Sequence, residues 1–299
     1  MVVLISSVSD SETAKLSNVL QVFFWPLKKA VSTPSLVLLG VFASALLVSC
    51  GVEPAVAANC KPTAKLEAAK LKYVQDGDTL LLQSGERVRL IGVNTPEIGR
   101  KGKADQPLAQ EARQALKRFL GAGSTIYLQS GEQAKDRYGR RLAYVFRTNN
   151  GELASEHLIA KGLGWQVVVP PNMGYTACLA EAEAQARDKG QSESVWQPRL
   201  YPLRDAKKLK KGHAGFVRVT GRVQSVEQSR NAYWITLDDT LAIKLRKSDL
   251  LNFDGLDPKS LQGKQLNVRG WMSYRGKSRA GFAPFVLPLS HPVMLETEL

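Results

Sequence analysis

The chain has 299 residues and a formal net charge of +14, because 41 Lys and Arg outnumber 27 Asp and Glu. Residues 1–60 contain three basic and three acidic residues, so the whole excess lies in residues 61–299. This distribution favours a polyanionic partner, nucleic acid or an anionic membrane surface, although solubility alone would also account for it. Basicity excludes no fold and no chemistry, so both must be inferred from residue patterns. The length suffices for two small domains after an export segment is removed.

Residues 1–59 have the features of an export segment. Lys28 and Lys29 precede the apolar run 36–48, which suits a signal-peptide core and is too short for a comfortable membrane span. Residues 47–50 form a lipobox that would leave Cys50 lipidated, while residues 55–57 offer ordinary cleavage. The lipobox is slightly favoured because it directly follows the apolar run. We therefore expect an exported protein that is periplasmic, secreted or anchored to a membrane as a lipoprotein. The stretch before Lys28 is long for a signal peptide, so translation could begin further along.

Two cysteines remain after Cys50 is set aside. Cys60 and Cys178 would be able to pair in an oxidising compartment, and the alternative is two unpaired thiols. Closing a loop of that length would stabilise the protein by about 4 to 5 kcal/mol in the chain-entropy model. We predict the disulfide.

Short apolar or β-branched segments separated by Gly, Ser and Asn predict a barrel, and longer segments with helical periodicity predict helices packed on it. The predicted strands are 79–83, 87–93, 125–129 and 141–147. The helical segments contain Leu108 to Leu120, Leu153 to Leu158, and Leu179 to Ala186. His157 lies near the apolar face of the second helix and is interpreted as structural.

Three segments place carboxylates and arginines at the ends of these strands: residues 76–79 (DGDT), 89–97 (RLIGVNTPE) and 136–140 (DRYGR). Cleavage of a phosphodiester needs oxygen ligands for a divalent cation, a carboxylate to activate water and guanidinium groups for the phosphoryl charge. Each segment alone has a simpler explanation: a hairpin turn, a solvated strand or an ordinary helix start. Together and in this order they favour a catalytic site.

The order and spacing of these segments resemble the staphylococcal nuclease (thermonuclease) family, over roughly residues 65–196. The resemblance implies an OB-fold barrel with packed helices and a calcium site. Asp78 and Asn94 would hold the ion with the backbone carbonyl of Thr95, and Asp76 would support it from behind the ligands. The best-known members carry Asp where this chain has Asn94. The amide still offers an oxygen but removes one negative charge, so weaker calcium binding is expected.

The resemblance also implies catalytic roles. Glu97 would position or deprotonate the attacking water, and Arg89 with Arg140 would clamp the phosphate and its transition state. Arg137 and Tyr138 would contact the substrate. The loop carrying Lys101 and Lys103 would hold the strand electrostatically, unless it is only a solvated surface loop.

The nucleotide pocket departs from the family. Val167 and Val169 stand where two tyrosines are expected before residues 170–172 (PPN), although Trp165 could compensate. Since stacking on an aromatic contributes roughly 1 to 3 kcal/mol per base, a weaker grip or altered base preference is expected.

Residues 198–212 contain two prolines and a lysine-rich run and are interpreted as a basic linker between domains 60–197 and 213–299. Five strand segments in 213–299, with a possible helix near 258–261, predict a second small OB-like barrel. Its aromatics, Tyr233, Trp234, Trp271 and Tyr274, would suit a single-strand groove, or else belong to the core. In the groove interpretation, deleting 213–299 should weaken binding and leave cleavage of a short oligonucleotide nearly intact.

We therefore interpret the chain as an exported calcium-dependent phosphodiesterase acting on single-stranded DNA or RNA, with no small-molecule cofactor. One alternative is a nucleic-acid-binding protein that retains the fold with a weakened site. Another is an envelope adaptor whose second domain binds protein. Arg89, Glu97 and Arg140 together favour catalysis, whereas Asn94 argues against it.

Overall fold

The structure, a computed structural model, describes residues 60–190, 192–276 and 282–296. All of them belong to one structural unit. The predicted export segment, including Cys50 and both processing points, lies outside the described residues. No helix in the described ranges is long and apolar enough to cross a membrane.

The first half of the described chain forms a barrel with three helices. Its strands are β1 (Glu67–Asp76), β2 (Thr79–Leu82), β3 (Arg87–Leu90), β4 (Val93–Asn94), β5 (Thr125–Lys135), β6 (Arg141–Thr148), β7 (Gly151–Leu153) and β8 (Trp165–Gln166). Its helices are α1 (Ala109–Leu120), α2 (Ala154–Ala160) and α3 (Thr176–Asp188).

Five of these strands close the barrel. β1 pairs with β2 and β5, β2 pairs with β3, β5 pairs with β6, and the parallel pairing of β3 with β6 completes the circle. Alternating apolar residues such as Leu80, Leu90 and Ile126 fill the interior and are fully buried. The predicted strand 87–93 is broken because Gly92 has a φ of +87°, and β4 then pairs with β8 outside the barrel sheet.

The helices pack on the barrel as the periodicity predicts. Ala112, Ala115 and Leu116 form the buried face of α1. His157 of α2 stacks on Phe119 with ring centroids 4.1 Å apart, which agrees with its interpretation as structural.

A disulfide joins the segment before β1 to α3. Cys60 and Cys178 are bonded, with their Cα atoms 5.8 Å apart. The backbone N–H of Cys60 donates to Oε2 of Glu156 at 3.0 Å. The predicted pairing is present in the structure.

The second half forms another barrel. Its strands are β9 (Leu203–Asp205), β10 (Gly215–Gln228), β11 (Ala232–Leu237), β12 (Leu241–Arg246), β13 (Gln265–Tyr274) and β14 (Phe285–Leu289). Short 3-10 helices cover Ala206–Lys208, Lys211–His213, Leu250–Asn252, Pro258–Leu261 and Pro292–Met294.

The second barrel repeats the pairing scheme of the first. β10 pairs with β11 and β13, β11 with β12, β12 in parallel with β14, and β13 with β14. In both halves the order around the barrel is first, second, third, fifth and fourth strand, which is the scheme of an OB-fold. The prediction of two OB-like barrels is confirmed.

The segment interpreted as a linker is packed against both barrels. β9 pairs in parallel with β10, and the ring of Tyr201 lies 4.7 Å from that of Trp165. The hydroxyl of Tyr201 donates to the carbonyl of Pro107 at 2.6 Å. The composition suggested a linker, and in the structure Tyr201 packs against the core of the first barrel and Leu209 against the core of the second.

The aromatics proposed for a single-strand groove do not form one continuous face. Tyr233 and Tyr274 pack against the core of the second barrel. Trp271 contacts Phe216 with centroids 5.2 Å apart. Trp234 is partly exposed, and the cationic groups of Lys244 and Arg275 lie 5.4 and 5.7 Å from its ring. Two of the four aromatics therefore pack against the core, whereas Trp271 is 41% exposed.

Candidate active site

The turn between β1 and β2 places two carboxylates inside the protein. Asp76 and Thr79 are the last pair of the hairpin, so Gly77 and Asp78 form its two-residue loop. Asp76 and Asp78 are buried. A Cβ atom on Gly77 would lie 2.5 Å from Oγ1 and 2.8 Å from Cβ of Thr95, closer than such atoms can approach. Glycine is required here because the turn packs against Thr95. The motif is therefore also a hairpin connection, as its simpler explanation proposed.

Asp78 is the centre of the hydrogen-bonded site. Its Oδ2 pairs with Nη2 of Arg89 at 2.9 Å and accepts from the backbone N–H of Thr95 at 3.1 Å. Its Oδ1 accepts from the hydroxyl of Thr79 at 3.1 Å. The same Nη2 atom of Arg89 donates to Oδ1 of Asn94 at 3.3 Å. The β1–β2 turn and β4 thus bring Asp78, Asn94 and Thr95 to one point.

Arg89 is held firmly by the protein. Its Nη1 atom donates to the carbonyls of Leu90 and Val93 at 2.6 and 2.8 Å, and only 12% of its side chain is exposed. Both Nη atoms of this guanidinium are therefore engaged by groups of the protein.

Arg140 reaches the site from the turn between β5 and β6. Its Nε atom pairs with Oδ2 of Asp136 at 2.7 Å, and its Nη1 atom lies 3.4 Å from the hydroxyl of Thr79. Partial burial raises the pKa of Asp136, but hydrogen bonds from Arg140 and Tyr138 outweigh it, so the pKa lies below its usual value. Asp136 therefore stays ionised and fixes Arg140 beside the β1–β2 turn.

Glu97 completes the carboxylate cluster. Gln106 closes its loop: the Gln106 side-chain oxygen accepts from the Glu97 N–H at 2.9 Å, and the Gln106 N–H donates to the Glu97 carbonyl at 3.0 Å. Burial of the carboxyl group, with repulsion from Asp78 and Asp76, raises the pKa of Glu97 to about 7, although Arg89 lowers it. Burial and Asp78 also raise the pKa of Asp76. Glu97 as a whole residue is exposed, and its carboxyl group interacts with Asp76 and Asp78, which places it at the mouth of the site.

This set of oxygen donors fits a hard divalent cation. Calcium prefers carboxylate, amide and backbone carbonyl oxygens, which Asp78, Asn94 and Thr95 offer. The Thr95 Oγ1 atom is buried without a hydrogen-bond partner among the residues that the structure describes. The raised pKa values of Asp76 and Glu97 show carboxylates repelling one another, and a cation between them would relieve that repulsion.

The predicted substrate residues lie on the outer side of the site. The Nη2 atom of Arg137 donates to the Tyr138 hydroxyl at 2.7 Å, and its guanidinium lies 4.8 Å from the ring centre. Tyr138 is 61% exposed, so its ring is accessible to a base. Lys101 and Lys103 are exposed on their loop.

The sequence did not indicate the roles of Arg100 and Gln106. The Nη2 atom of Arg100 lies 3.7 Å from Oδ2 of Asp76. Its position in a basic loop is a weak signal, because any of the neighbouring cations could have made this contact. Gln106 carries no charge, and nothing in its spacing from Glu97 distinguishes it.

The two valines in place of tyrosines have different environments. Val167 is buried in the core of the second barrel, so it cannot contact a base. Val169 is 54% exposed. Trp165 is also buried, packed on Phe216 and Tyr201. The suggestion that Trp165 compensates for a missing tyrosine is therefore wrong, because its ring serves the contact between the barrels.

The fold and the site together define an OB-barrel protein with a cluster of oxygen donors flanked by arginines. The family model "Staphylococcal nuclease homologue" matches residues 87–197. The thermonuclease of Staphylococcus intermedius is 34% identical over 134 residues, which cover 44% of this chain and 77% of that protein. The thermonuclease of Staphylococcus hyicus is 35% identical over 130 residues, which cover 42% of this chain and 74% of that protein.

A third relative has a similar match. Endonuclease YncB of Bacillus subtilis is 30% identical over 148 residues, 48% of this chain and 68% of that protein. The chain therefore belongs to the staphylococcal nuclease family. None of the matched ranges is long enough to include the second barrel together with the first, so that barrel has to be interpreted from its own contacts.

Proposed function

We propose that this protein is a calcium-dependent nuclease that hydrolyses phosphodiester bonds in single-stranded DNA or RNA. The observation that carries the proposal is the convergence of Asp78, Asn94 and Arg89 at one point, with Glu97 and Arg140 beside it. The names of the matched relatives, two thermonucleases and an endonuclease, support the same activity.

Each side chain has a role that follows from its position. Glu97, at the mouth of the site, accepts the proton of the attacking water. Arg140, one quarter exposed, faces the incoming phosphate and stabilises its developing charge. Arg89 orients Asp78 and Asn94 and donates a hydrogen bond to the phosphate. Bound calcium would supply positive charge to the phosphate oxygens.

The alternative is a protein that binds nucleic acid through the same fold and has lost turnover. Asn94 favours this alternative because it removes one ligand charge. Against it, Asp136 holds Arg140 in place and Gln106 holds the loop of Glu97, and binding alone requires neither contact.

We also propose that the protein is exported. The apolar run 36–48 and the lipobox at Cys50 support translocation and a lipid anchor in a membrane. The disulfide between Cys60 and Cys178 supports an oxidising compartment. Metabolic labelling with a fatty acid, compared between the wild type and Cys50→Ala, tests the anchor.

The activity is tested on a single-stranded oligonucleotide with calcium and with excess chelator. Cleavage should require calcium and be lost in Asp78→Asn. Asp188→Asn removes the same charge from the exposed end of α3 and serves as the matched control. Undiminished cleavage in chelator, or equal activity of the two variants, would contradict the proposal.

A further inference from the structure

An arginine of the second barrel is buried against the first. Arg269 lies on β13 between Val268 and Gly270, and its side chain is 1% exposed. Leu266, Val268 and Met272 point into the core of the second barrel. Because side chains alternate along a strand, Arg269 projects from the opposite face.

The guanidinium of Arg269 binds two groups of the nuclease half. Its Nη2 atom pairs with Oε2 of Glu183 on α3 at 2.7 Å and donates to the backbone carbonyl of Gln166 at 3.1 Å. The Oε1 atom of Glu183 accepts from the backbone N–H of Gln166 at 2.6 Å. Glu183 and Arg269 therefore hold the two backbone polar groups of Gln166: Glu183 binds its N–H and Arg269 binds its carbonyl.

Gln166 belongs to β8, the strand that backs the candidate cation site. Val93 pairs with Gln166 and Asn94 pairs with Trp165. Within the described ranges, β8 is the only strand that pairs with β4, and this pair is separate from the barrel sheet. The backbone of Asn94 is thus held by β8, in addition to the side-chain bond from Arg89 of the closed barrel.

The two residues after Gln166 also contact the second barrel. Val167 is buried in the core of that barrel, and its N–H donates to the carbonyl of Gly92 at 3.1 Å. The hydroxyl of Ser290 donates to the carbonyl of Val168 at 3.1 Å. All three residues, 166–168, therefore contact the second barrel, and Gln166 and Val167 also support Val93 and Gly92 on the other side.

We propose that the second barrel positions the Asn94–Thr95 edge of the active site, and that Arg269 is the positioning residue. Removing its guanidinium frees the carbonyl of Gln166 and leaves the buried carboxylate of Glu183 with only part of its counter-charge. β8 then moves more freely, and the oxygen atoms of Asn94 and Thr95 lose their fixed spacing. The consequence for catalysis rests on the proposed function, whereas the consequence for β4 and β8 does not.

The variants are Arg269→Met, which keeps the length without the charge, and Arg269→Lys, which keeps the charge without the forked geometry. Arg246→Met is the matched control, since it removes an ion pair with Asp249 within the second barrel. The double variant Arg269→Met with Glu183→Gln removes both buried charges and retains an oxygen for the Gln166 N–H. If Arg269→Met does not fold, the double variant replaces it in the comparison, because removing both partners avoids an unpaired buried charge.

The first measurement is amide hydrogen exchange of the metal-free protein. The reporters are the N–H of Val167, bonded to Gly92, and the N–H of Thr95, bonded to Asp78. The reference is the N–H of Leu71 in the first barrel, bonded to Ser124. In Arg269→Met and in the double variant, the reporters should exchange about ten-fold faster relative to the reference, and in Arg269→Lys by less. Arg246→Met should leave the ratio unchanged.

The second measurement is calcium binding by titration calorimetry. The dissociation constant should rise in Arg269→Met and stay near the wild-type value in Arg246→Met. Equal acceleration of reporter and reference amides would show a general loss of stability and would overturn the proposal, as would unchanged exchange in a folded variant. If the protein cleaves no nucleic acid but the exchange ratio changes as expected, the proposed function fails and the positioning role of Arg269 stands.

Discussion

One guanidinium nitrogen of Arg89 donates to the side-chain oxygen of Asn94 at 3.3 Å. The amide therefore directs its oxygen, rather than its nitrogen, towards Asp78 and the candidate cation site. This arrangement is the one that an aspartate at the same position would adopt.

We accordingly expect Asn94→Asp to lower the calcium concentration needed for half-maximal activity, because it restores a ligand charge without a change of shape. Activity is measured across a calcium titration. Asn231→Asp adds the same charge at an exposed position in the second barrel and is the control. The absence of a shift towards lower calcium, or an equal shift in the control, would mean that Asn94 is not a ligand.

Glu97→Gln should reduce turnover by about 10² to 10⁴-fold, the usual contribution of a general base. Binding of an uncleaved oligonucleotide should change little, since Gln106 holds the loop through the backbone of residue 97, which the substitution leaves in place. Single-turnover kinetics and a binding titration separate the two effects. Glu181→Gln, exposed on α3, is the control, and an equal loss of binding and turnover would argue against a catalytic role.

Arg140→Lys keeps the positive charge but cannot retain the forked geometry with Asp136 and Thr79. Turnover should fall by about 10²-fold or more, as when one preorganised donor to a transition state is lost. Arg147→Lys, at an exposed arginine paired with Glu152, is the matched control. If both lysine variants retain full turnover, Arg140 does not act on the phosphate.

Deleting residues 213–299 should destabilise the remaining domain and reduce its cleavage even of a short oligonucleotide. The deletion removes Arg269 from the buried carboxylate of Glu183 and exposes Val167 to water. The sequence had suggested the opposite, a separable binding module. Thermal melting and cleavage of a short substrate decide between them: an unchanged melting temperature with full cleavage would restore the modular interpretation.

Stability should fall in acid through His157. Burial, followed by repulsion from Lys161 and Arg147, lowers the pKa of His157 to about 4 from its ordinary 6.5. Between these values the unfolded chain binds a proton that the native protein does not, so stability present above about pH 6.5 is lost as the pH falls towards 4. Urea unfolding at several pH values should show a shallower decline in His157→Gln. If the free energy of unfolding depends on pH equally in both proteins, His157 is excluded as the cause.

Much of the fold followed from local patterns. Alternating apolar residues predicted the strands around Leu80 and Leu90, and helical spacing predicted α1, because both periodicities are set by a single buried face. The break between β3 and β4 was missed because it depends on the positive φ of Gly92. The pattern of apolar residues around Gly92 does not indicate that conformation.

The sequence predicted those residues of the candidate site that lie within its motifs. Asp78, Asn94 and Arg140 were identified because the three segments that contain them resemble, in order and spacing, the motifs of the staphylococcal nuclease family. Gln106, which closes the loop of Glu97, was missed because an uncharged residue in a loop has no pattern of its own. Arg269 was missed for a different reason: it looks like one more surface cation in a basic domain, and only the tertiary contact with Glu183 shows that it is buried.

The shared strand order of the two barrels limits where chemistry can occur. The turn that carries Asp76 and Asp78 in the first barrel corresponds to the turn between β10 and β11 in the second, where Ser229, Arg230 and Asn231 stand. No carboxylate occupies that turn, so it offers no counterpart to Asp76 and Asp78. The demands that the proposed site places on the second barrel therefore lie where that barrel contacts the first half of the chain, at Arg269 of β13 and at Ser290.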